Sequence, residues 1–170
     1  MTMVSSEEYK AAMQPFGAAV TVITTRLGET LHGMTATAVC SLSADPPSLL
    51  VCINRSASIH DQLLASRSFC VNLLGDHQIE LANRFSNADE AMRPRRFEGL
   101  AIESLATGAP VLPDAVAAYD CRVVTTMDGS SHTVFIGLIT GLRTRPERAP
   151  LMYQARQYRR LSPIAGRVSA

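Results

Sequence analysis

The chain has 170 residues, 46% of them hydrophobic, and a formal net charge of +1. That length suits one domain with a sizeable core. The near-neutral charge and the lack of tryptophan argue against nucleic acid or an anionic membrane surface as a partner. No apolar run approaches the roughly 18 residues that span a bilayer.

The opening, MTMVSSEEYK, has no basic segment followed by an apolar one. No secretory signal is expected, and cytoplasmic residence follows. A single domain over 1–170 is expected, with a helix within 1–15 and a flexible tail over 162–170.

In chain order, Ser5 and Glu8 have capping-box spacing and open a short helix that Pro15 and Gly17 end. Residues 19–26 are β-branched and alternating, and 31–38 follow a turn at 27–30, so a hairpin is expected. The segment GMTATAVCSLSADPP (33–47) differs from a core strand. It sets Thr35, Thr37, Ser41 and Ser43 among small residues and stops at Asp45-Pro46-Pro47. Such composition suits a half-exposed edge strand, or a wall that a flat ligand can approach closely.

Residues 48–53 form a wholly apolar strand, covered on both faces. Ser58 caps a helix over 58–65, 68–74 is a strand, and Asp76 caps a second helix ending at Phe85. Residues 86–98 are a polar, arginine-rich loop. Two longer strands, 115–126 and 132–144, flank a turn at Asp128-Gly129, and 151–153 adds an edge strand. Many short strands with only a few helices favour a barrel.

Lys10 is the only lysine, and arginines cluster at Arg93, Arg95 and Arg96 and at Arg156, Arg159 and Arg160. Each cluster suits a solvated face or an anion contact. Cys40, Cys52, Cys70 and Cys121 lack zinc spacing and read as reduced, buried thiols. The four histidines have no metal-ligand spacing, and no metal is expected. Neither a G-x-G-x-x-G fingerprint, a P-loop nor a G-x-S-x-G elbow is present. If the chain is an enzyme, something other than its own side chains is expected to carry the reactivity.

Two local features could meet a ligand. Asn54-Arg55-Ser56-Ala57-Ser58 leads from a strand into a helix, a junction that attracts anions. Asn72 sits mid-strand and needs amide partners, from a ligand or from the backbone.

Several stretches together resemble the short-chain flavin reductases, the FMN-binding split-barrel proteins of two-component monooxygenases. They are FGAAVTVITT (16–25), GMTATAVCSLSADPP (33–47), LLVCINRSAS (49–58), FCVNLL (69–74), Asn83-Arg84-Phe85, SHTVFIGLI (131–139) and PLMYQARQYRRL (150–161). The resemblance implies a mainly β fold, a six-stranded antiparallel split β-barrel with a few short helices, assembled as a homodimer. It implies an NAD(P)H-dependent flavin reductase that passes hydride from NADH or NADPH to FMN or FAD. The reduced flavin then serves a monooxygenase, with an aromatic substrate by analogy.

On that resemblance, Thr35, Ala36, Thr37, Cys40 and Ser41 face the flavin ring and Asp45 fixes the end of that wall. Arg55, Ser56 and Ser58 take the phosphate, joined by Arg84 at the phosphate or pyrophosphate. Asn72 bonds either the flavin or the backbone, and Tyr158 and Arg159 cover the cofactor. His132 positions the nicotinamide. It follows Ser130-Ser131 where similar proteins carry Gly-Asp, and Thr37-Ala38 stands where they carry Asn-Ser. The alternatives are a tight flavin-binding electron carrier or sensor without turnover, and a pyridoxamine-phosphate-type oxidase on the same barrel.

Overall fold

The computed structural model describes residues 3–164; the end of the expected tail, 165–170, lies outside the described residues. Helix α1 (Ser6–Ala12) opens on the expected capping box, with the Glu8 amide donating to Ser5 Oγ and the Ser5 amide to Glu8 Oε2. Strand β1 (Ala18–Ala19) precedes β2 (Thr21–Leu27) and β3 (Thr30–Ala36), a hairpin whose turn uses Gly28 at φ 57°. A left-handed φ of this kind is easiest for glycine. Strands β4 (Val39–Ala44) and β5 (Pro47–Asn54) follow, then α2 (His60–Ser66), β6 (Ser68–Leu73) and α3 (Ile79–Ser86). The remaining strands are β7 (Glu103–Ser104), β8 (Pro110–Val111), β9 (Ala117–Gly129), β10 (His132–Thr144), β11 (Met152–Gln154) and β12 (Gln157–Arg159).

Seven strands form the main antiparallel sheet, in the order β3-β2-β6-β9-β10-β5-β4. Six were expected, and the hydroxyl-rich 39–44 segment supplies the additional edge strand. The outer strands β3 and β4 are consecutive in the chain, with only Thr37 and Ala38 between them. Ala36 and Val39 therefore lie within about 11 Å of each other. The sheet curls until its edges meet at that corner, yet no ladder joins them, which makes it a split barrel. Two register shifts in β10 against β9 mark bulges, which add curvature. Gly137 lies between them. A Cβ there would come within 2.6 Å of the Phe69 ring.

Alternation sorts the side chains into separate cores, two large and one small around Cys70, Ala109, Val111 and Ala118. Ile23, Val51, Ile53, Phe69, Val71 and Phe135 fill the barrel, with Ile59 and Leu63 packed against them. Val20, Val22, Leu74, Phe85, Leu112 and Leu151 form a second cluster outside it. Short sheets flank these cores: β1-β11-β12, and the β7-β8 pair.

Five local expectations are corrected. Ser58 does not cap α2. Its N-cap is Ile59, which has no side-chain cap bond, because turns from Asn54 to His60 delay the helix. Asp76 does not cap α3 either: that helix starts from Gln78, and Asp76 pairs with Arg160 at 2.6 Å. The second hairpin turns at Ser130-Ser131 rather than Asp128-Gly129, with Ser130 at φ 58°. The 86–98 loop contains two short 3-10 turns, Glu90–Met92 and Pro94–Phe97. All four cysteines are free; Cys70 and Cys121 are buried, but Cys40 on edge strand β4 is exposed.

Candidate functional site

Two hollows adjoin along β3, and both are bounded by Thr35 and Ser86. The first is a chamber of about 280 Å³ between β3, the 56–58 turn and the 87–96 segment. Its polar lining is Thr35, Ser56, Ser58, Ser86, Asn87, Arg93 and Arg96. The second is a recess of about 240 Å³, floored by Thr35, Ala36 and Thr37 and flanked by Tyr153 and Tyr158. Together they make one trough, cationic at one end and aromatic at the other.

The trough is held by specific bonds. Thr35 Oγ1 donates to the carbonyl of Ala82 at 2.7 Å, fixing the wall strand to α3. Gly33 lets that helix come close, since a Cβ there would meet the Phe85 ring at 2.5 Å. The Ser56 amide and hydroxyl both donate to Asn54 Oδ1 at 2.9 Å, which shapes the turn. Tyr158 donates its hydroxyl to Asn83 Oδ1 at 2.7 Å and meets Tyr153 edge-on, with ring centres 5.6 Å apart. Burial, then Tyr153, raises the Tyr158 phenol above its ordinary value.

The expected ring wall divides at the corner of the split. Thr35, Ala36 and Thr37 floor the trough, whereas Cys40 and Ser41 line a different cleft of about 450 Å³ between the barrel edges, which Thr37 also borders. That cleft is mostly apolar, with Ala18, Val39, Leu49, Leu73 and Ile139 among its walls. Asp45 is exposed in the β4–β5 turn, where its amide bonds Ser43 Oγ at 3.1 Å. Strand alternation and the 37–38 crossover send these side chains to the other side.

Several residues expected at the site lie apart from the trough. Asn72 is fully buried; its amide donates to the carbonyls of Val22 and Pro110 and to Thr24 Oγ1, and its oxygen accepts from the Leu112 amide at 2.8 Å. Its bonding capacity is spent on the core. Arg84 is exposed and donates to the Glu98 carbonyl. Arg159 lies with Asp76 and Arg160 beside a separate recess, which only Tyr158 shares with the trough. Arg55 pairs with Asp128 at 2.7 Å and faces the β9–β10 hairpin. The first residues of α2 do not offer an open helix terminus, because Ile59 and His60 are buried.

His132 begins β10 half-buried, and its Nδ1 lies 2.9 Å from Ser131 Oγ. Ser131 is thus the polar neighbour of the imidazole. The Arg55 amide donates to the Ser131 carbonyl at 3.0 Å, so the His132 turn is stitched to the loop that carries Ser56 and Ser58.

Sequence reasoning noted the Arg93–Arg96 cluster without placing it. Arg96 keeps only 6% exposure and donates from Nη1 to the Gly33 carbonyl at 2.7 Å and from Nη2 to that of Asn87. Burial, then repulsion from Arg93, lowers its pKa from the ordinary value. Tyr153 and Ser86 were also missed; nothing local in the sequence sets them apart.

The fold is a split barrel, and its cationic chamber of about 280 Å³ adjoins an aromatic-flanked recess, surfaces that suit a phosphorylated ring compound. The chain belongs to the flavin reductase like domain family, which matches residues 13–162. It is 41% identical over 152 residues to a protein of Rhizobium rhizogenes named FMN reductase (NADH) RutF 2, covering 89% of this chain and 87% of that one. Among solved structures it is similar to the flavin reductase PheA2, with TM-score 0.85 and 34% identity, over 94% of this chain and all of that one. It is also similar to BorF, the flavin reductase component of a bacterial two-component tryptophan halogenase, with TM-score 0.85 and 31% identity, over 94% and 100% of the two chains.

Proposed function

We propose that this chain is the NADH-dependent flavin reductase of a two-component system, reducing FMN and passing it to a separate monooxygenase. The observation that carries this is the trough itself: a carboxylate-free cationic chamber opening, past Thr35 and Ser86, onto a floor of small residues beneath two tyrosines. A phosphorylated ring cofactor fits that sequence of surfaces. About 40% identity to proteins named FMN reductase (NADH) supports the enzyme class.

Bound flavin would supply the redox chemistry, accepting a hydride from the nicotinamide. The protein's part is binding and orientation. Thr35, Ala36 and Thr37 keep the floor low, so that the ring and the backbone approach closely. Thr35 is anchored by Ala82 and keeps its place when the trough fills. Ser56 and Ser58 present hydroxyls to the phosphate end. Tyr158, clasped by Asn83, screens the ring end from water. His132 stands beside the phosphate-binding loop and positions the nicotinamide nucleotide. No protein acid or base is required for hydride transfer.

A single domain over 1–170 is supported by a family match running unbroken from 13 to 162. A homodimer belongs to the same proposal. Helix α1 buries none of its residues, and Tyr9, Met13 and Phe16 lie exposed around a hollow that Tyr153 also borders. Cytoplasmic residence is proposed because that compartment supplies NADH; no helix among the described residues is long and apolar enough to cross a membrane.

The test is NADH oxidation by the purified chain with FMN, FAD or no flavin added. Turnover that requires added flavin is expected. A protein that retains yellow flavin and oxidises no NADH would make it a carrier and defeat the reductase assignment.

A further inference from the structure

The chamber contains an electrostatic imbalance. Arg93 and Arg96 both line it, and no carboxylate does. Arg96 spends its Nη groups on two carbonyl oxygens, and its buried Nε has no partner. Carbonyl oxygens satisfy guanidinium protons but leave the charge uncompensated. A buried cation without a counter-ion is costly, and a second cation beside it adds to the cost. Among the described residues, the carboxylate paired with Arg93 is Glu90, at 2.9 Å, with its side chain 83% exposed. Solvent screens that contact, and it contributes little. Arg55, the cation nearest in sequence to Ser56 and Ser58, does not line the chamber.

We infer that Arg93 and Arg96 are the counter-ions for the phosphate monoester of the flavin, seated with Ser56 and Ser58 in this chamber. The inference rests on the flavin proposal above. Arg93 is half-buried and reaches the phosphate directly; forked guanidinium–phosphate contacts are strong and geometrically selective. Arg96 lies deeper and supplies field from below. It also holds the Gly33 carbonyl at the start of the wall, so the phosphate end and the ring floor share one anchor.

The test compares FMN with riboflavin, which has the same ring and no phosphate. Affinities are measured by quenching of flavin fluorescence on the full chain. Arg93→Gln is expected to raise the FMN Kd by about tenfold, the loss of one charge-assisted contact, and to leave the riboflavin Kd unchanged. Arg93→Lys should recover part of the loss. Equal shifts for both flavins, or no shift for FMN, overturn the assignment. An unchanged FMN Kd with a raised NADH KM overturns it too, because the chamber would then hold the nicotinamide dinucleotide's pyrophosphate. If the wild-type chain binds neither flavin, the flavin proposal falls and this one with it. If it binds both and Arg93→Gln does not discriminate, only the counter-ion assignment falls.

Discussion

The Tyr158 hydroxyl and Asn83 Oδ1 are 2.7 Å apart, a single bond that joins β12 near the chain's end to α3 across the trough. Because its pKa is raised, the phenol stays a neutral donor at all moderate pH values. Tyr158→Phe keeps the ring and removes the clasp. A half-exposed hydrogen bond is worth about 0.5–1.5 kcal/mol net. FMN and riboflavin Kd values should both rise by about threefold, since the clasp acts at the ring end. Fluorescence titration checks this, and unchanged affinities would remove Tyr158 from the site.

His132→Ala should raise the KM for NADH while the FMN Kd stays the same. The imidazole touches Ser131 and lines neither hollow of the trough. Loss of flavin affinity in step with the KM change would instead make His132 a structural residue of the loop. Steady-state kinetics with varied NADH, together with equilibrium flavin titration, separate the two outcomes.

Asn72→Ala should destabilise the fold by about 1–3 kcal/mol for each buried partner left unsatisfied. The Leu112 amide loses its acceptor, and the Pro110 carbonyl loses one of two donors, Thr24 Oγ1 being the other. Urea denaturation measures the loss. The folded fraction should bind FMN as the wild type does, because Asn72 is fully buried.

Stability should fall at alkaline pH through two core thiols. Burial, then Asp120, pushes Cys121 from 9.0 to about 12, and the same two causes lead in raising Cys70 well above 9.0. Above pH 9 the unfolded chain gives up these protons and the folded chain keeps them. The stabilisation is complete below pH 9 and is lost as pH rises toward 12, by about 1.4 kcal/mol per pH unit for each thiol. Urea midpoints measured across this window check the slope, and Cys121→Ala should reduce it. A flat profile for the wild type would contradict the burial of both thiols.

Local chemistry made much of this fold legible. Gly28 located the first hairpin, and the β-branched runs around Ile23 and Phe135 showed their strands. Serine at a helix start misled at Ser58, because cap preference competes with the turn that Asn54 organises and with the packing of Ile59 and His60. The floor at Thr35–Thr37 was visible in its small residues. Its division from Cys40 and Ser41 was not, since that depends on where the sheet edges meet. Arg96 was the least accessible to sequence reasoning: its bond to Gly33 spans 63 residues, and an arginine in a polar loop ordinarily faces water.

The two-residue link Thr37–Ala38 gives the barrel an unusual closure. Its seam is joined by the covalent chain at one corner rather than by a ladder along its length. A circular permutant opened between these residues would keep every strand pair of the main sheet, yet lose the strut that sets how far the edges gape. The length of this link, two residues, limits how far apart the edges can stand at that corner.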